Sequence, residues 1–130
     1  MKKVLVADVP QMDARYLAAL TGWDIEFAHT MGQARHALAG ARYDLVAIGV
    51  YFDDSQVFDL VRAVRGDARH GEVPIVCVRT RPGLAAVTSR TLETTVKELG
   101  AEQLVDLAAA GDDAAGEGTL RAAAESLVGG

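Results

Sequence analysis

Cysteine is almost missing from this chain: Cys77 is the only one in 130 residues. A single thiol closes no intrachain disulfide and completes no zinc set, so a reducing, cytoplasmic setting is expected. Basic residues are in the minority, 13 against 18 acidic, for a net charge of −5. Binding along a phosphate backbone needs a basic face, which argues against nucleic acid as the main partner. No apolar run approaches the ~20 residues of a membrane-spanning helix, and no membrane partner is expected. The opening MKKVLVAD has only Val4 to Ala7 before Asp8, too short for the apolar core of a signal peptide. No GxGxxG follows that run, where the chain reads DVPQM, and no loop rich in Ser, Thr and Gly stands there either. A dinucleotide, P-loop or flavin enzyme is therefore disfavoured. His29, His36 and His70 are dispersed, with no metal-ligand spacing to Cys77 or to one another. His36 and His70 are expected in solvent, and Cys77 as a small buried residue.

What the chain has is apolar content, half of all residues, and regular alternation of short apolar runs with helical patterns. Val4 to Ala7, Leu45 to Ile48 and Ile75 to Val78 are continuous runs, the pattern of strands buried on both faces. Pro74 stands at the start of the last of these, where a missing N–H is tolerated. Trp23 to Ala28 alternates, with Trp23, Ile25 and Phe27 against Asp24 and Glu26, which reads as a strand near an edge. Leu104 to Leu107 supplies a short fifth strand. Helices are expected over Met12 to Leu20, over Met31 to Ala39 with Thr30 as cap, from Ser55 to Gly66, through Leu84 to Leu99, and from Thr119 onward. The five Ser and Thr residues of the Leu84 to Leu99 stretch weaken its helical pattern. Pro82-Gly83 signals a turn, and Gly111, Gly116 and Gly118 are expected to loosen the last connection. Five strand–helix units imply an α/β fold with a parallel sheet, right-handed crossovers and helices on both faces. A single domain over residues 1–130 is expected.

Four words in order, KKVLVADVPQ, YDLVAIGVYFDDSQVFDLVRAVR, GEVPIVCVRT and ELGAEQLVDL, resemble the receiver domain of bacterial two-component response regulators over nearly the whole chain. The resemblance implies a flavodoxin-like (βα)5 fold with strand order 2-1-3-4-5. It also implies transfer of a phosphoryl group from a histidine kinase to an aspartate. That chemistry needs a carboxylate nucleophile, two acids for Mg²⁺, and a hydroxyl and a lysine for the phosphoryl oxygens. Carried over residue by residue, the acidic pair reads Asp8-Val9, so one of the two acids is kept. The acceptor position falls on Gly49, which has no group to phosphorylate. The hydroxyl position falls on Arg79, with Thr80 one step later. The lysine position falls on Leu107, the switch aromatic on Leu104, and the loop proline and glycine on Asp53 and Val57.

These departures point to a degenerate receiver: the fold kept, the aspartyl phosphate lost, Mg²⁺ and other cofactors not expected, and no enzyme activity. Asp8 with Asp53 or Asp54 is the remaining route to a cation. Arg79 reads either as a solvated strand-end residue or as a surrogate cation paired with Asp8. The expected role is a stand-alone signalling module that acts by protein–protein contact, with a histidine kinase or a separate output protein as partner, or as a homodimer. Its expected contact face runs through Leu92, Val96 and Leu104. The alternative is a small-ligand or anion sensor using the crevice at the carboxyl end of the sheet, where Gly49 leaves room and Arg79 holds an anion.

Overall fold

The computed structural model describes residues 1–80, 89–107 and 113–129. Among them the strands are β1 (Lys3–Ala7), β2 (Asp24–Ala28), β3 (Leu45–Gly49), β4 (Ile75–Arg79) and β5 (Gln103–Asp106). They form one parallel sheet in the order β2-β1-β3-β4-β5. The helices are α1 (Asp13–Ala19), α2 (Met31–Gly40), α3 (Val57–Gly66), α4 (Ser89–Leu99) and α5 (Asp113–Val128).

Successive strand residues point to opposite faces, and the core divides on that rule. Val4, Val6, Leu45, Ala47, Val76, Val78, Val105 and Leu107 pack with α1 and α5. Leu5, Val46, Ile48, Ile75 and Cys77 pack with α2, α3 and α4. β1, β3 and β4 are covered on both sides, which is why they read as unbroken apolar runs. β2 lies at an edge, and its Asp24 and Glu26 are exposed.

Several boundaries differ from the sequence reading. Asp53, Asp54 and Ser55 have φ of 41°, 58° and 61°, so Phe52–Ser55 is a left-handed turn and α3 starts at Val57 rather than Ser55. α4 is described only from Ser89; the expected stretch from Leu84 to Thr88, with the Pro82-Gly83 turn, lies outside the described residues. α5 begins at Asp113, not Thr119, and takes Gly116 and Gly118 into the helix. Each glycine costs about 1 kcal/mol there, which the burial of Leu120, Ala123 and Ala124 against the sheet offsets. Arg121 adds a tie across this face, donating from Nε to the Ala19 carbonyl at the end of α1 at 2.8 Å. Gly111 lies outside the described residues.

His70 is not in solvent. It is wholly buried between α3 and β4 and packs against the Tyr43 ring, tilted by 35°. Its Nδ1 donates to Asp67 Oδ1 at 2.9 Å, and its Nε2 accepts from the Tyr43 N–H at 3.3 Å. The Asp67 carboxyl is held below its ordinary range, chiefly by the His70 bond. Arg65, which drew no notice in the sequence, ties the same end of the sheet. Its Nε and Nη2 donate to the Gly100 carbonyl at 2.9 and 2.6 Å, its Nη1 to the Val73 carbonyl at 2.7 Å, and its Nη2 also reaches Glu102.

Candidate functional site

The carboxyl ends of the strands are where an open α/β sheet normally places its chemistry. β1 and β3 are neighbours with Ala7 opposite Ile48. The next residues, Asp8 and Gly49, are therefore side by side. By alternation both point to the α1 and α5 face, following Val4 and Val6 on β1 and Leu45 and Ala47 on β3.

Asp8 is 2 % exposed. Its Oδ2 accepts from the Tyr16 hydroxyl at 2.7 Å and its Oδ1 from the Val9 N–H at 2.7 Å. Tyr16 comes from α1 and is completely buried. The Asp8 carboxyl lies over Gly49 so closely that a Cβ built there would fall 2.0 Å from Cγ and 2.0 and 2.2 Å from the two oxygens. The space that any side chain at residue 49 would occupy is filled by Asp8. Burial pushes the Asp8 pKa up, with help from the Asp13 charge, against the opposing pull of the Tyr16 and Val9 bonds and of His29. Desolvation, then the charge of Asp8, raises the Tyr16 hydroxyl in turn. Asp13 and His29 form their own pair beside this site, with His29 Nε2 2.9 Å from Asp13 Oδ2.

The other sequence candidates fall in different places. Arg79 is buried but does not pair with Asp8; Ile75, Cys77 and Arg79 alternate onto the α2–α4 face, and Arg79 Nη1 stands 3.9 Å from Asp106 Oδ2, its register partner on β5. Thr80, one residue on, returns to the α1 side. With Val9, Gln11, Met12 and Tyr51 it lines a groove of about 210 Å³. Leu107 is buried in the α1 and α5 core. Asp53 is engaged elsewhere: its Oδ2 accepts from the Met31 N–H at 2.8 Å, closing the start of α2 beside the Thr30 cap.

The expected contact face also needs correction. Leu92 and Val96 are 1 % and 0 % exposed and form part of the α2–α4 core, while Leu104 is half-buried against the same cluster. Their i, i+4 spacing turns both helix residues to the sheet. The outward side of α4 presents Arg90, Thr91, Thr94, Lys97 and Glu98 instead. Cys77 is buried and its thiol is pushed up to about 12 by desolvation, which removes it as a nucleophile at neutral pH.

Mg²⁺ demands a near-octahedral set of oxygen ligands. Here one carboxylate, Asp8, is turned inward onto a tyrosine hydroxyl and a backbone N–H, its neighbours are Val9 and Gly49, and the Asp53 carboxylate is engaged elsewhere. Among the described residues no three His, Cys, Asp or Glu side chains gather as a metal set. The residues present do not fit a Mg²⁺ site.

Tyr16 is the site residue the sequence reading missed as such. It lies inside the helix expected over Met12 to Leu20, and nothing in its spacing announced a bond to Asp8.

No protein-family model and no curated protein matches the sequence. Solved structures do. A response regulator from Hahella chejuensis is similar with a TM-score of 0.80 and 22 % identity, over 98 % of this chain and 95 % of that one. A response regulator from Thermotoga maritima is similar at 0.77 and 16 %, over 100 % and 99 %. The receiver domain of a sensor histidine kinase from Pseudomonas aeruginosa, solved with a magnesium ion coordinated in its active-site cleft, is similar at 0.71 and 16 %, over 99 % and 98 %. The chain has the receiver-domain fold, with the strand order expected from the sequence. Among the described residues no helix is long and apolar enough to cross a membrane.

Proposed function

We propose that this receiver-fold protein is a signal-transduction module that works through protein–protein contact without aspartyl phosphorylation and without enzyme activity of its own. One observation carries the reading: the Asp8 carboxyl occupies the volume that any side chain at Gly49, the position the resemblance gives to the acceptor, would need. Gly49 has no side-chain oxygen to take a phosphoryl group. Asp8 is buried, hydrogen-bonded and short of the surface where a donor would reach it. Leu107 offers no cation for phosphoryl oxygens. The neighbours with this fold are response regulators and receiver domains of histidine kinases, which supports a protein partner of the two-component kind: a kinase, a separate output protein or a second copy. The net charge of −5 weighs against nucleic acid, and the single buried cysteine accords with a reducing cytoplasm.

The test is intact mass after incubation with Mg²⁺ and acetyl phosphate. No adduct is expected; a stoichiometric phosphoryl adduct would overturn the reading. The ligand-sensor alternative rested on room above Gly49 and on Arg79 at its mouth. Asp8 takes that room and Arg79 turns toward Asp106, which removes both of those supports.

A further inference from the structure

The three-way contact of Asp8, Gly49 and Tyr16 is more than the loss of an acceptor. A site that merely decayed would leave a hole over Gly49, or collapse onto it with apolar side chains. Here the hole holds a carboxyl group, and that group arrives from β1 instead of β3. It is not a loose occupant. Both its oxygens accept hydrogen bonds at 2.7 Å, one from the Val9 backbone and one from a tyrosine with no exposed surface.

We infer that Asp8 and Gly49 are a size-exchanged pair, in which Asp8 is a built-in occupant that closes the pocket to an external oxyanion or cation. The exchange has two parts that require each other. Asp8 can lie inward only because residue 49 has no Cβ, since such an atom would sit 2.0 Å from Asp8 Cγ. Gly49 leaves no void only because Asp8 covers it. Gly49 does not have a positive φ, so glycine is not required there by backbone conformation. The demand for it is steric, and the three nearest atoms all belong to one side chain. Tyr16 is the positioning residue. By holding Asp8 Oδ2 it fastens α1 to the end of β1, and the surface carried by α1 and the following loops is then fixed by the chain itself. This goes beyond the functional reading, because it concerns what closes the pocket and holds whatever partner the outer surface meets.

A double-mutant cycle tests it, with thermal unfolding of the wild type, Gly49→Ala, Asp8→Ala and the double variant. Asp8→Ala removes the three atoms nearest to the new methyl, all of them within 2.2 Å. Gly49→Ala is expected to lower Tm by more than about 5 °C in the wild-type background. In the Asp8→Ala background it is expected to lower Tm by less than about 2 °C, or to raise it, as a strand alanine limits the unfolded chain. Equal shifts in both backgrounds overturn the inference. Should Gly49→Ala alone fail to fold, a folded double variant supports the pair, and a double variant that also fails while Asp8→Ala folds overturns it. Closure is read separately: Tm of the wild type is expected not to move with Mg²⁺ and inorganic phosphate, and a dose-dependent rise overturns it. A phosphoryl adduct on a surface acid would defeat the proposed function yet leave the coupling intact, so the two ideas fail by different results.

Discussion

If Gly49 stands at an acceptor position, as proposed, Gly49→Asp is the obvious repair, and the geometry says it will damage the protein instead. Any side chain at residue 49 begins with a Cβ 2.0 to 2.2 Å from the Asp8 carboxyl atoms, so Asp8 has to swing out. It then gives up its bonds from Tyr16 and Val9, and the Tyr16 hydroxyl is left in a place with no solvent contact. An orphaned buried hydroxyl costs about 1–3 kcal/mol, and a hydrogen bond to a charged group about 1.5–3 kcal/mol. The sum is about 3–6 kcal/mol, a large share of the ~5–15 kcal/mol that holds a domain together. For a chain of this size it corresponds to a Tm about 10–20 °C lower. The assay is thermal unfolding by circular dichroism in EDTA, with urea unfolding to check that the transition stays cooperative. A Gly49→Asp protein whose Tm lies within about 3 °C of wild type would refute the steric argument.

Two further predictions follow from the charges and the backbone. Burial raises the Asp8 pKa, so the folded state holds the proton more tightly than the unfolded chain, and this group's contribution to stability is lost as pH rises from about 4 through the raised value. Asp8→Asn keeps the shape without the charge; the Tm of the variant minus that of wild type is expected to be larger at pH 7 than at pH 4, and a difference that is flat or falls with pH would contradict the assignment. At the opposite end of the sheet, Gly100 has φ 117° and a Cβ there would lie 2.9 to 3.2 Å from Arg65 Nε, Cγ and Cδ. Gly100→Ala combines a disfavoured backbone region with displacement of Arg65 from two carbonyls and is expected to cost about 2–4 kcal/mol in urea unfolding; an unchanged midpoint would show that Arg65 does not hold that corner.

The fold was legible in the sequence because its signal is local. A strand covered on both faces must be apolar at every position, and Val4 to Ala7, Leu45 to Ile48 and Ile75 to Val78 are. The edge strand was legible from the alternation of Trp23 to Ala28, and the α2 cap from Thr30, whose Oγ1 accepts from the Gln33 N–H. The residue types were equally plain: a glycine at 49, a valine at 9 and a leucine at 107, where the resemblance expects an acceptor, an acid and a lysine. Where those side chains go was not. Asp8 reaches over Gly49 because β1 and β3 are neighbours in register, a contact across 41 residues of sequence. Arg79 leaves the site because strand alternation gives it the other face, and Thr80 takes the nearer one. Leu92 and Val96 are core because their helix face meets the sheet, and His70 is buried because Tyr43 and Asp67 converge on its two nitrogens. The sequence by itself determined which chemical groups the chain has and which elements carry them, since backbone periodicity is written residue by residue. Only the tertiary structure decided which group fills which space, since two side chains compete for one volume only after the strands that carry them have been brought together.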